Sequence, residues 1–154
     1  MWHSTLTGAS LFFRGIGEPV RVSDLTLLGE TGHRDDESAD NAFNGNFGEG
    51  SRLERLWIER FKCGVWTLSG TRNMTIADCR IRNTMADGVN FCDGTSFSTV
   101  QNTHLRNNGD DGLATWSPSG DWSSKRPFVG NRFIGNLIEL PWLANGIGIY
   151  GGRD

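Results

Sequence analysis

Five pairs of apolar residues, each pair five positions apart, recur along the chain: Val22 and Leu27, Leu53 and Ile58, Ile76 and Ile81, Val100 and Leu105, Val129 and Ile134. Their starts are separated by 31, 23, 24 and 29 residues. Each of the last four pairs is followed by a glycine and a second apolar stretch: Gly64-Val65-Trp66, Gly88-Val89-Asn90-Phe91, Gly112-Leu113-Ala114-Thr115-Trp116 and Gly146-Ile147-Gly148-Ile149-Tyr150. The unit is strand, tight polar turn, strand, loop. Alternating runs such as Thr75–Ile81 and Thr99–Leu105 carry the strand signal. Helix is disfavoured because glycine supplies 21 of 154 residues, about twice its average usage, and Gly, Asn and Thr are poor helix formers. A unit of about 24 residues built from short strands fits an all-β chain, a right-handed parallel β-helix of about five coils with two or three strands each. Its coils stack at the ~4.8 Å spacing of a sheet.

Two further features follow from that register. Asn83, Asn107 and Asn136 each sit two residues after the second apolar anchor. Stacked amides can bond to one another along a solenoid axis, or the same residues can serve as left-handed turn residues; both readings place them at turns. Ser117–Pro127 reads as an inserted loop, and solenoid insertions gather on one face, often the binding face. The whole of residues 1–154 reads as one partial β-helix domain.

Composition excludes several classes. The net charge of −3 gives no electrostatic reason to expect nucleic acid or an anionic membrane as partner. No apolar run reaches the ~20 residues of a membrane span, and Met1-Trp2-His3-Ser4 lacks the basic start and apolar segment of a signal peptide. The stop at Gly151–Asp154, directly after an apolar stretch, reads as an interruption. Cys63, Cys79 and Cys92 form no CxxC motif, and three cysteines cannot all pair within one chain, so they are expected as small buried hydrophobes.

Aligning the coils on the glycine that opens the second apolar stretch puts Asp87 and Asp111 one coil apart, at the same edge, with Asp110 beside them. Cys63 and Asn145 take the equivalent places in the flanking coils. Like charges about 5 Å apart repel by ~1 kcal/mol in water and by several times that at a protein-like dielectric. Such a cluster should have separated proton affinities, with one group held protonated. Glycoside hydrolysis needs that division, an acid for the leaving oxygen and a carboxylate for water or carbon. The alternative reading is that Asp87-Gly88 and Asp111-Gly112 are turn dipeptides. Clustered Asp oxygens also suit Ca2+.

The remaining candidates are aromatic or isolated. Trp66, Trp116, Trp122, Trp142 and Tyr150 can stack on sugar rings or fill the core; Trp57 is expected in the core. His3, His33 and His104 have no metal-like spacing, and His104 reads as a strand-face residue. Gly146-Ile147-Gly148 lacks the helix that phosphate binding requires. No Lys or Arg is expected to accompany the acidic cluster, as the base of a Ca2+-dependent lyase would have to, which argues against that activity. A sugar-binding solenoid without catalysis is the other alternative.

The blocks Asp35-Asp36, Ala86-Asp87-Gly88-Val89-Asn90-Phe91, Arg106–Ser117 with its Gly-Asp-Asp-Gly-Leu-Ala core, and Leu143–Gly152 resemble, in this order and spacing, the mycodextranase and α-1,3-glucanase family of glycoside hydrolases, family 87. The resemblance runs from about Leu6 to Asp154. One Asp followed a coil later by an Asp pair is also similar to polygalacturonases. The family resemblance implies a right-handed parallel β-helix, secretion, and endo-hydrolysis of α-1,3-glucan with inversion. It carries catalysis onto Asp87, Asp110 and Asp111, with Asp111 expected as the acid and the other two holding water. Stacked carboxyl groups about 5 Å apart would by themselves suggest retention; in solenoid hydrolases water can enter from the side of the stacked acids. Candidate substrate contacts are Asn90, Trp116, Trp122, Asn145, Tyr150 and Asp154. No cofactor is required, the partner is an α-glucan polysaccharide, and a monomer is expected.

Overall fold

The computed structural model describes residues 2–3, 13–68, 70–116 and 129–152. The expected insertion Ser117–Pro127 with Trp122, and Asp154, lie outside them. β1 (Trp2–His3) and β2 (Phe13–Ile16) come first. A first full coil holds β3 (Arg21–Ser23), β4 (Thr26–Leu28) and β5 (Asn41–Asn46), and a second holds β6 (Arg52–Glu54), β7 (Trp57–Glu59) and β8 (Cys63–Thr67). The third is β9 (Thr75–Ala77), β10 (Arg80–Arg82) and β11 (Val89–Cys92); the fourth is β12 (Thr99–Gln101), β13 (His104–Arg106) and β14 (Leu113–Trp116). The last is β15 (Arg132–Ile134), β16 (Leu137–Glu139) and β17 (Ile147–Tyr150). Every described strand pairs in parallel with its counterparts in the neighbouring coils, giving three sheets: β1-β4-β7-β10-β13-β16, β2-β5-β8-β11-β14-β17 and β3-β6-β9-β12-β15. This is a parallel β-helix, and no helix occurs among the described residues.

Each coil has three strands because the alternating runs are broken at a corner. Asp78 and Asn102 sit in the left-handed region, at φ 56° and 46°, so Thr75–Ile81 and Thr99–Leu105 each serve two sheets. The inward residues stack into files. Val22, Leu53, Ile76, Val100 and Phe133 form one. Leu27, Ile58, Ile81, Leu105 and Ile138 form the second. Phe13, Phe43, Val65, Val89, Leu113 and Ile147 form the third. The middle coils of these files are fully buried, and burial of such columns holds the solenoid together.

The last coil corrects the sequence register. Its inward pair is Phe133 and Ile138, not Val129 and Ile134. Both pairs are five apart, but only Phe133 and Ile138 pack against the core, while Ile134 is exposed. Asn136 therefore leaves the expected amide stack. It faces the corner of the previous coil, bonding Thr103 N and Val100 O. The true successor of Asn107 is Leu140, also left-handed at φ 52°. Asn83 and Asn107 satisfy both readings at once: each is left-handed, and Asn107 Nδ2 donates to Asn83 Oδ1 at 3.1 Å. Asn107→Ala should cost about 1–2 kcal/mol, from the lost bond and the strained backbone. Asn107→Gly should recover the backbone part; urea denaturation of the two variants checks this.

Trp57 is also not in the core. Strand period places Ile58 inward, and Trp57 lies outside, with Nε1 donating to Glu59 at 2.8 Å and the Arg80 and Arg82 guanidiniums over its ring. His104 is a strand-face residue, bonded to Glu139 and Arg82. The three cysteines are buried and unpaired. Burial pushes all three thiols up, Cys79 to about 11, which leaves them unreactive at neutral pH.

Candidate active site

The outer face of the β5-β8-β11-β14-β17 sheet carries the polar files. The strand register aligns Asn41 with Cys63, and its continuation carries the file through Asp87 and Asp111 to Asn145. A second file is Asn44, Trp66, Asn90, Ala114 and Gly148. Backbone bonds hold the acidic file in step: Gly64 N donates to Asp87 O, Gly88 N to Asp111 O, and Gly112 N to Asn145 O, at 2.9–3.2 Å. The glycines are needed here because a Cβ at Gly88 would stand 2.5 Å from both Gly112 O and Leu105 Cδ2.

The expected neighbours are indeed neighbours. One oxygen each of Asp87, Asp110 and Asp111 lie within 4.8 Å of one another. Asp87 and Asp111 are 6% and 2% exposed, whereas the Asp110 side chain is 29% exposed, on the open side. Asp87 Oδ1 accepts the Asp111 amide at 3.1 Å, and Oδ2 accepts Asn90 Nδ2 at 2.7 Å. Asp111 Oδ1 accepts both Asn145 N, at 2.9 Å, and Asn145 Nδ2, at 3.2 Å. Its Oδ2 lies over Gly148, where a Cβ would stand 2.2 Å away, so a side chain at this position would push the Asp111 carboxylate and Tyr150 aside. Asn90 and Asn145 thus orient the acids.

Burial raises Asp87 to about 6, against the opposing bond from Asn90 and with help from the Asp110 and Asp111 charges. A carboxyl in a poorly solvated place next to other carboxylates keeps its proton longer. The Tyr150 phenol is also pushed up, first by its hydrogen bond to Asp111.

These acids line a cleft of about 790 Å³. Trp66, Trp116 and Tyr150 form its aromatic walls. The two indoles are 6.0 Å apart at 58°, lying over the small Asn90 and Cys92 between them. Trp116 and Tyr150 are partly exposed, as a stacking surface requires. Trp142 is exposed but does not line the cleft.

The roof comes from the start of the irregular stretch Glu30–Gly50, whose place over the cleft the repeat spacing does not show. Residues 30–40, between β4 and β5, overhang the cleft, and Arg34 Nη1 reaches Asp110 Oδ2 at 2.5 Å. A cation therefore does accompany the acids, contrary to expectation. It is an arginine paired with both Asp36 and Asp110, and these bonds hold its proton more firmly than usual. Oxygens this close also suit a divalent cation, but Arg34 already supplies a counter-charge.

Similarity to known proteins fits this geometry. The profile of the α-1,3-glucanase catalytic domain D2 matches residues 15–154. The chain superposes on the crystal structure of the Agl-KA catalytic domain with a TM-score of 0.78 at 36% identity, over 93% of this chain and 25% of that one. For the catalytic unit of the thermostable GH87 α-1,3-glucanase from Streptomyces thermodiastaticus strain HF3-3 the values are 0.83 and 38%, over 91% and 25%. A GH87 α-1,3-glucanase catalytic domain in complex with nigerose shares the fold at 22% identity and a TM-score of 0.72, over 99% and 31%. The chain spans about a quarter of the length of the first two. No curated protein matches it.

Proposed function

We propose, from the premise that the chain belongs to the GH87 α-1,3-glucanase catalytic-domain family, that this cleft hydrolyses α-1,3-glucosidic bonds in an α-glucan outside the cell. The observation that carries this reading is the trio Asp87, Asp110 and Asp111, gathered within 4.8 Å on the floor of an aromatic-walled cleft. Solved relatives bound to nigerose or tetrasaccharides carry alanine at aspartates whose numbers differ by one, and by 23 and 24. Asp110 and Asp111, and Asp87 relative to them, have these spacings, which supports the same trio here.

The chemistry needs no cofactor. The cluster holds a proton up to about pH 6, lodged on Asp87; in a coupled cluster that value belongs to the group as a whole. This proton is offered to the leaving glycosidic oxygen. Both Asp87 oxygens accept N–H donors, whereas Asp111 gives only Oδ1 to Asn145. Its Oδ2, without an N–H donor, is the oxygen that can hand the proton to the substrate, so Asp111 keeps the acid role and Asp87 and Asp110 hold the attacking water. Inversion follows if water enters beside the stacked acids, and proton NMR of the first-formed anomer tests it.

Incubating the chain with α-1,3-glucan, mixed α-1,3/1,4-glucan and polygalacturonate, and separating the products, tests the reading as a whole. Release of oligosaccharides from α-1,3-glucan alone is expected; polygalacturonate cleavage would replace the reading. Trp116→Ala should raise KM for soluble α-1,3-oligosaccharides about 10-fold through loss of one stacking face, with little change in kcat; steady-state kinetics checks the split.

A further inference from the structure

The overhang of residues 30–40 has a built-in attachment to the cleft. Its flanks are tied to the second coil, with Gly29 N donating to Glu59 O, Thr31 N to Arg60 O and Lys62 N to Asp40 O. Within it, Lys62 Nζ donates to the carbonyls of Asp36 and Ser38. Lys62 is buried and serves these carbonyls rather than an acid. Asp36 Oδ1 accepts Arg34 Nε at 2.7 Å, which fixes the plane of the guanidinium. Arg34 Nη1 then meets Asp110, which belongs to the coil three above its own, about 14 Å along the axis at the usual strand spacing. A contact over that distance requires the overhang to be held where it is.

The charges around Asp110 make this arginine significant. Asp87 faces it from the turn before β11, and Asp111 adjoins it before β14. Tyr150 on β17 and Asp36, Glu37 and Lys62 also line the cleft. Three carboxyls meet in this cluster, and among the described residues Arg34 is the cation in ion-pair contact with one of them. Resting on the hydrolase reading above, we propose that Arg34 is a positioning residue of the active site, pinning Asp110 to the open side of the cluster and supplying the positive charge that offsets its neighbours. The Asp87 proton is where this shows. The Asp110 charge already favours that proton, and without Arg34 it would act unopposed.

Arg34→Gln tests the proposal. Its kcat should fall at least 10-fold with KM changed less than about 3-fold, and the limb of the kcat/KM–pH profile near pH 6 should move up by about one unit. Arg34→Lys should restore most of the limb position. An overhang that only shapes the cleft would instead raise KM and leave the limb in place, and that result overturns the proposal. A readout independent of turnover is the carboxyl carbon of Asp87, titrated by NMR on aspartate-labelled chain and assigned with Asp87→Asn. Its midpoint should rise in Arg34→Gln; an unmoved midpoint overturns the proposal. Arg34→Met serves for the same titration if glutamine disturbs the overhang. If the unaltered chain releases nothing from any glucan, this partial chain does not hydrolyse glucan on its own, and the titration still decides the role of Arg34.

Discussion

Asp111→Asn should lower the release of reducing ends from α-1,3-glucan by about 10³-fold or more, the scale expected for loss of a general base or acid, while the fold survives. The reason lies in which atoms change. Asparagine keeps Oδ1, so both bonds from Asn145 can persist and the file stays in step. What disappears is the second carboxylate oxygen, over Gly148 and beside Tyr150, together with its charge. Binding of α-1,3-oligosaccharides should remain within a few-fold, since the aromatic walls are untouched. Far-ultraviolet circular dichroism and calorimetric titration with a tetrasaccharide complete the measurement. Persisting turnover in a folded Asp111→Asn chain would remove Asp111 from the chemistry.

Asp87→Asn should be inactive yet more stable at neutral and alkaline pH. Asp87 has its pKa raised in the folded chain from 3.8 to about 6. The native state then binds more protons than the unfolded state between those values. By linkage, stability falls as pH rises through this window, and the penalty is complete above pH 6. At about 1.4 kcal/mol per unit, the buried charge costs up to ~3 kcal/mol; part of the gain on its removal is lost because the asparagine amide must face either Asn90 or the Asp111 N–H. A net gain of about 1–3 kcal/mol at pH 8 corresponds to a melting temperature higher by several degrees. At pH 3, where the native carboxyl is already neutral, the advantage should vanish. Thermal denaturation at the two pH values decides it, and equal gains at both would show that the Asp87 charge is not the cause.

The sequence is most informative where coils have equal length. The inward residues Ile76 and Ile81 recur 24 positions later as Val100 and Leu105, and the same step carries Asp87 onto Asp111. Where the coil lengthens, the signal divides: Val129 with Ile134 and Phe133 with Ile138 fit one spacing rule equally well, and packing chooses the second pair. Trp57 shows a related limit. Its size suggests a core residue, but strand alternation gives the interior to Ile58. Arg34 and Lys62 could not be found from spacing at all. Arg34 meets Asp110 across 76 residues from an irregular segment, and no period connects them. The aspartate cluster was legible because it lies on the lattice of the repeat; its counter-ion was not, because it arrives from outside that lattice.

The acids occupy two adjacent coils, while the aromatic and amide files beside them run on through further coils of the same sheet. Reaction chemistry and grip on the polymer are therefore separable quantities. Adding or removing rungs away from those two would lengthen or shorten the face beside the acids without disturbing the contacts the acids make with one another.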